Sequence, residues 1–170
     1  MTIKHLESSL KIASCINCVN CPARLYTKTT NVILGFGNLY SNKVIVLPTY
    51  SLDYKGKGTY INTASILINI IGDRIFEDYY VTREIKCYSN SEYEIDEVCK
   101  RYCSIFLNKE LFTTKAKHLF AFGDVDLGYV RPSILNKFHV HRMFNPYCTI
   151  VGNDYVKGMF EKQIAKMIST

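Results

Sequence analysis

The sequence lacks any apolar run that approaches the ~20 residues needed to cross a membrane. Its first residues, Met1 to Glu7, also lack the apolar core of a secretory signal peptide. These two absences argue against a membrane-embedded or exported protein. They predict residence in the cytoplasm, where cysteine thiols stay reduced.

The chain also lacks internal repeats, low-complexity tracts and linker-like stretches. Its 170 residues are enough for one well-buried core, and 48% of them are hydrophobic. We therefore expect a single domain that covers residues 1–170. Neither a nucleotide-binding P-loop nor a Ser-His-Asp arrangement is present, so neither of these two chemistries is expected.

A surplus of positive charge is the first feature that points to a partner. The chain carries 21 lysines and arginines against 15 aspartates and glutamates, which gives a net charge of +6. Such a surplus suits a polyanion partner such as DNA or RNA. Simple solubility is the alternative reading of the same number.

Hydrophobic patterning predicts strands that alternate with helices. Tight turns are expected around Gly35 and Gly37, after a short strand. The predicted helices cover 63–72, 94–111 and 153–168, and the buried strands cover 43–48, 78–82, 117–123 and 138–144. This alternation predicts an α/β fold with three αβα layers around a central, mostly parallel, four-stranded sheet. Ligands of such sheets bind beyond the carboxyl ends of the strands.

Seven cysteines form the most distinctive pattern. Cys15, Cys18 and Cys21 follow one another at intervals of three, and Cys87 precedes Cys103 by sixteen residues. An odd number of thiols in a reducing compartment argues against a disulfide framework and favours metal ligation. Soft sulfur ligands suit an iron–sulfur cluster or tetrahedral zinc, and the spacing leaves both open. Cys99 and Cys148 read as small buried hydrophobes.

The order of these features resembles the iron–sulfur (family-four) uracil-DNA glycosylases over roughly residues 15–166. The matching features are a C-x2-C pair with a following arginine, a glycine turn, a Thr-x-x-x-Lys-Cys strand end, a cysteine sixteen residues later, a glycine that ends a strand, and a final proline loop. In the same order, these features are found here at Cys15 and Cys18, Arg24, 34–38, 82–87, Cys103, Gly123, and Asn145 with Pro146.

The resemblance implies a uracil-DNA-glycosylase-like fold with a structural 4Fe–4S cluster, and a DNA partner that is single-stranded or locally opened. Its ligands would be Cys15, Cys18, Cys87 and Cys103, with the cluster loop near residues 15–21. Cys21 could take the place of Cys15, because Cys18 and Cys21 form an equally good pair. The divergence and the AT-rich type of composition suit a phage protein, whose compartment would be the host cytoplasm.

The chain departs from the family where the chemistry occurs. Pro48 and Thr49 stand in place of the first catalytic motif, and Asp53 is the nearest carboxylate that could assist a water. Tyr60 falls near the phenylalanine that stacks on a flipped base. Arg83 replaces the asparagine that reads the uracil edge, and arginine only donates hydrogen bonds. Asn145 replaces a histidine and cannot carry positive charge.

Base excision needs the target base to be flipped out, the hydrogen-bonding edge of that base to be recognised, and the departing base anion to be stabilised. We therefore expect weak or absent excision of uracil, and either another base as substrate or a non-catalytic replication or protein-interaction module on the same scaffold. Asp53 and Asn145 are the catalytic candidates. The DNA-contact candidates are Pro48, Thr49, Lys55, Lys57, Tyr60, Arg83 and Arg142.

Two smaller patterns complete the expectations. His139 and His141 alternate along one strand and so share a face, which makes them a weak candidate for metal binding. Asp124 and Asp126 follow Gly123 and are typical of a helix N-terminus, where a carboxylate caps the first turn.

Overall fold

The structure is a computed structural model that describes residues 21, 34–48, 50–51, 63–72, 74–86, 88–89 and 97–170. Several predicted site residues lie outside these ranges. They are Cys15, Cys18, Thr49, Asp53, Lys55, Lys57, Tyr60 and Cys87.

Strands and helices alternate along most of the described chain. The strands are β1 (Phe36–Gly37), β2 (Lys43–Leu47), β3 (Tyr50–Ser51), β4 (Tyr80–Arg83), β5 (Tyr88–Ser89), β6 (His118–Phe122) and β7 (His139–Met143). The helices are α1 (Thr63–Ile71), α2 (Ile75–Asp78), α3 (Glu97–Thr113), α4 (Pro132–Leu135), α5 (Cys148–Val151) and α6 (Asp154–Ser169). None of them is long and apolar enough to cross a membrane.

The main sheet has five strands in the order β1-β4-β2-β6-β7. The four predicted strands form its parallel part, β4-β2-β6-β7. The predicted burial of β7 is wrong, because β7 is an edge strand and only its Met143 is buried. The predicted count of four is wrong because β1 joins β4 in antiparallel register. Gly37 permits this pairing: its φ is +97°, and a Cβ there would lie 2.4 Å from the Tyr79 carbonyl oxygen. A separate two-stranded parallel sheet pairs β3 with β5.

Helices cover both faces of the main sheet, as predicted. Successive side chains of β2 point to opposite faces. Val44 and Val46 belong to a core cluster with Phe106 and Leu111 of α3. Ile45 and Leu47 belong to a second cluster, whose helical members include Leu67, Ile75, Phe160, Ile164 and Met167 from α1, α2 and α6. The strand ends are thereby held between two packed layers.

Candidate functional site

The carboxyl ends of the parallel strands lie along one edge of the sheet, and β2 and β6 mark a switch point in the strand order there, which we call the crevice. The chain leaves β2 towards β4 on one side, whereas it leaves β6 towards β7 on the other. Ligands of open α/β sheets bind where neighbouring connections diverge in this way. Pro48, which is buried, follows β2, and Gly123 follows β6. The crevice between these two residues is the candidate site.

Arg83 lies at the end of β4, beside Leu47 of β2. Its side chain is only 3% exposed. A base could therefore reach the guanidinium only after neighbouring groups move aside. The residue occupies the expected edge of the sheet, but it does not extend into solvent as a ready contact.

Glu84 is a site residue that the sequence reasoning missed. Its backbone N–H donates to the Leu47 carbonyl at 2.9 Å, and its Oε1 accepts from the Asp126 N–H at 3.2 Å. Because β4 and β6 flank β2, the side chain spans the end of β2. The carboxyl is 5% exposed. Its position directly after a predicted strand was the available signal.

Burial raises the pKa of the Glu84 carboxyl to about 7. The nearby Lys100 ammonium and the hydrogen bond from the Asp126 N–H act in the opposite direction, while the charges of Asp126 and Asp124 raise the pKa further. Loss of hydration disfavours the ionised form of a buried carboxyl. Glu84 can therefore hold or release a proton near neutral pH.

The predicted helix start at Asp124 and Asp126 is wrong. Asp126 Oδ1 accepts from the Gly128 N–H at 2.7 Å, which closes a turn, and the next helix begins at Pro132. Aspartate favours turns for the same reason that it favours helix caps, because its short side chain accepts from a nearby N–H. The two carboxylates instead line the loop beside Glu84.

Asn145 follows β7 and begins the proline loop. Its Oδ1 accepts from the Tyr147 N–H at 3.0 Å, and its backbone carbonyl accepts from the Cys148 N–H at 3.0 Å. A Cβ on Gly123 would lie 3.1 Å from Asn145 Nδ2. The two residues that the resemblance matched in separate motifs thus lie side by side at the strand ends.

Arg142 of β7 is exposed, and its Nη1 donates to the Val125 carbonyl in the loop after β6. The guanidinium therefore ties β7 to this loop and keeps its remaining N–H groups for other partners. This arrangement is compatible with the predicted DNA contact.

Cys103 is the single member of the predicted ligand set within the described residues. Its Sγ accepts from the Lys86 backbone N–H at 3.5 Å. This contact places the thiol next to the residue that precedes Cys87. Cys99 and Cys21 are also buried. Among the described residues, no group of three or more histidine, cysteine, aspartate or glutamate side chains is placed to hold a metal ion.

A buried ion pair supports the same strand end, and the sequence reasoning missed it. Lys86 Nζ contacts Glu110 Oε2, and both side chains are at most 1% exposed. Glu110 also accepts from Thr82 Oγ1 at 2.7 Å, from Tyr80 Oη at 3.1 Å and from the Gly35 N–H at 2.6 Å. One carboxylate of α3 therefore fastens β4 and the segment that leads to β1.

The structure thus gathers Pro48, Arg83, Gly123 and Asn145 at one edge of the sheet. A scan of family models and a search of curated proteins find no match for this chain. The geometry of this edge is accordingly the basis for a functional assignment.

Proposed function

We propose that this protein is a DNA-binding member of the uracil-DNA glycosylase superfamily that carries a 4Fe–4S cluster. One observation carries the proposal: Arg83, Gly123 and Asn145, matched from three separate motifs, come together around the end of β2. Ligands of open α/β sheets bind at this edge, so the three residues lie where a base or a phosphate would be contacted. The partner is a flipped or single-stranded base, and the net charge of +6 favours its phosphates.

The cluster would be held by Cys15, Cys18, Cys87 and Cys103. The donor chemistry of four thiolates fits it. The Cys103 thiol fits as well, because it lies beside the backbone just before Cys87 and accepts an N–H hydrogen bond there. When bound, the cluster supplies a structural cross-link between the cysteine loop and the unit made by the β4 end and α3.

The residues at the crevice favour a chemistry other than ordinary uracil excision. Asn145 is neutral, so it cannot supply the positive charge that would stabilise a departing uracil anion. Arg83 offers only donors to a base edge. The available proton carrier is Glu84, whose pKa of about 7 suits general acid or base work near neutral pH. In a glycosylase for another base, Asp53 would assist the attacking water.

The test is a single-turnover assay on single-stranded oligonucleotides that contain uracil or one other modified base, beside a binding measurement at two salt concentrations. We expect salt-sensitive binding and uracil release far slower than that of repair enzymes. Release of another base identifies the substrate. Uracil release at a repair rate contradicts the proposed loss of uracil chemistry, and salt-insensitive, weak binding contradicts the DNA-binding role.

A second candidate is a replication or protein-interaction module on the same scaffold. The observation that favours it is an apolar groove of about 570 Å³ between α1, α5 and α6. Ile70, Ile150 and Ile168 line this groove and are each more than 40% exposed. Weak DNA affinity together with a stable complex with a replication protein would favour this candidate.

A further inference from the structure

Three histidines cluster near the beginnings of β6 and β7. His118 pairs with His139 in the sheet register, and Phe120 pairs with His141. His118 Nδ1 lies 3.2 Å from His141 Nε2, and the two ring centroids are 5.5 Å apart with nearly parallel planes. The rings therefore meet end to end, in the geometry of an N–H···N hydrogen bond. The sequence pointed only to His139 and His141.

A cavity of about 190 Å³ lies beside this cluster, between β7 and α6. Its polar lining consists of His141, Arg142, Gln163 and Lys166. Two of these residues, His141 and Lys166, have basic side chains on the α6 face of the sheet, and of the described residues that line the cavity none is acidic. A lysine ammonium, an imidazole and an amide NH₂ around one cavity, with no acidic residue in its described lining, favour a negatively charged ligand.

The donors around this cavity are available. Gln163 Oε1 accepts from the Phe144 N–H at 2.8 Å, which fixes the amide and leaves its NH₂ group with no hydrogen-bond partner among the described residues. When His118 donates to His141 Nε2, His141 keeps an N–H on Nδ1. The Arg142 side chain alternates with His141 along β7, and its Nη1 donates to the Val125 carbonyl on the other face of the sheet, so it is not one of these donors. Lys166 is exposed at its outer end.

We propose that this cavity binds a phosphate group, with Lys166, His141 and the Gln163 NH₂ as donors. The phosphate belongs to a nucleic-acid backbone or to a free phosphate ion, since both present the same oxygens. The site is distinct from the crevice at Pro48 and uses neither Glu84 nor Asn145.

Binding should strengthen as the pH falls, because a protonated His141 adds a positive charge. Burial lowers the pKa of His141, and so do the charges of His118, Lys166 and His139. The negative charge of a bound phosphate would raise the pKa of His141 again. The other charged groups around the pair are Lys43 of β2, Lys117 next to β6 and Arg142 of β7.

The test follows the histidine ring signals by ¹H–¹⁵N NMR while the full chain is titrated with inorganic phosphate, or with a short oligothymidylate, at constant ionic strength. Lys166→Gln removes one donor and should weaken binding roughly tenfold. Lys162→Gln removes the same charge one turn earlier on the same helix, at a residue that does not line the cavity, and should change binding less than twofold. Gln163→Glu keeps the oxygen for Phe144 and should abolish binding.

Each outcome of the titration either supports or overturns the proposed phosphate site. Saturable shifts with inorganic phosphate that depend on Lys166 support a site for the free ion. Saturation with oligothymidylate alone, with the same dependence, supports a backbone site. Equal losses in Lys166→Gln and Lys162→Gln show only diffuse attraction and overturn the proposal, as does a lack of saturation with either ligand.

Discussion

Gly123 and Asn145 lie against each other where β6 and β7 end. The N–H of Gly123 donates to the Met143 carbonyl at 2.9 Å, and a Cβ at position 123 would lie 3.2 Å from the Cβ of Asn145. The φ of Gly123 is +63°, in the left-handed region that favours glycine. A side chain at position 123 would therefore disturb the backbone turn and the Asn145 loop together.

Gly123→Ala should lower the free energy of unfolding by about 1–2 kcal/mol from the left-handed backbone alone. Urea denaturation measures this loss. The matched control is Gly158→Ala in the middle of α6, where a Cβ would meet nothing within 4 Å. That change should stabilise the protein by about 0.5–1 kcal/mol, because alanine favours helix. If Gly123→Ala left the free energy of unfolding unchanged, the result would contradict the close packing of the two strand ends.

Lys86→Met should destabilise the protein by about 3–5 kcal/mol, because it leaves the Glu110 carboxylate buried without its cation. The double variant Lys86→Met with Glu110→Leu should cost less than the sum of the two single changes. Urea denaturation of all three variants measures the coupling. Arg74→Gln is the control, since the Arg74–Asp78 pair is exposed at 77% and 47% and should contribute less than about 1 kcal/mol. Strict additivity would show that Lys86 and Glu110 do not act as a pair.

Glu84 should make stability fall as the pH rises. Its pKa is raised from 4.5 to about 7 in the fold, so the folded state holds the proton more tightly than the unfolded chain. The contribution of the protonated Glu84 carboxyl to the free energy of unfolding is fully present below pH 4.5 and is lost as the pH rises through 7. Each unit of pKa difference corresponds to about 1.4 kcal/mol.

The measurement compares Glu84→Gln with the unaltered protein by urea denaturation between pH 4.5 and 8. The variant should gain relative stability as the pH rises, because glutamine has no proton to lose. The difference between the two proteins cancels the opposite contributions of His118 and His141, whose pKa values are lowered mainly by burial. Parallel stability profiles would mean that the Glu84 carboxyl is not perturbed.

Cys103→Ala should abolish iron and sulfide incorporation during anaerobic purification, because it removes a proposed cluster ligand. Cys99→Ala is the matched control: it lies one turn earlier on α3, is 0% exposed, and should retain both elements. Iron and acid-labile sulfide analysis measures the outcome. Stoichiometric zinc without sulfide in the unaltered protein would refute the proposed cluster and weaken the proposed family membership with it.

Local pattern in the sequence was sufficient for the parallel strands. The run from Lys43 to Pro48 is β-branched and apolar, and β2 covers Lys43–Leu47. The prediction 117–123 corresponds to His118–Phe122, and 138–144 to His139–Met143. β2 and β6 are buried on both faces and show this burial in their composition, so no knowledge of their partners was needed. For β7 the composition predicted the strand, but its predicted burial is wrong because β7 lies at the edge of the sheet. The matched strand-end residues followed from the same boundaries.

The antiparallel fifth strand and the charged interior depended on tertiary structure. Phe36 and Gly37 form a strand because they pair with the edge of β4. The glycines at positions 35 and 37 allow the close approach of the two backbones. Lys86 and Glu110 look like surface residues in the sequence, and only the packing of α3 against β4 brings them together. Hydrophobic periodicity records which face of one element is buried. It carries no information about which polar groups meet when two elements pack.

The sequence by itself determined the layered α/β class, the positive charge and the cysteine spacing, because each depends on composition or local pattern. Only the tertiary structure placed Glu84 across the end of β2, Asn145 against Gly123, and His118 beside His141. These contacts join residues 22 to 42 positions apart in the sequence. The hydrogen bonds between these residues and the pKa shifts of Glu84, His118 and His141 arise from burial that no single segment encodes.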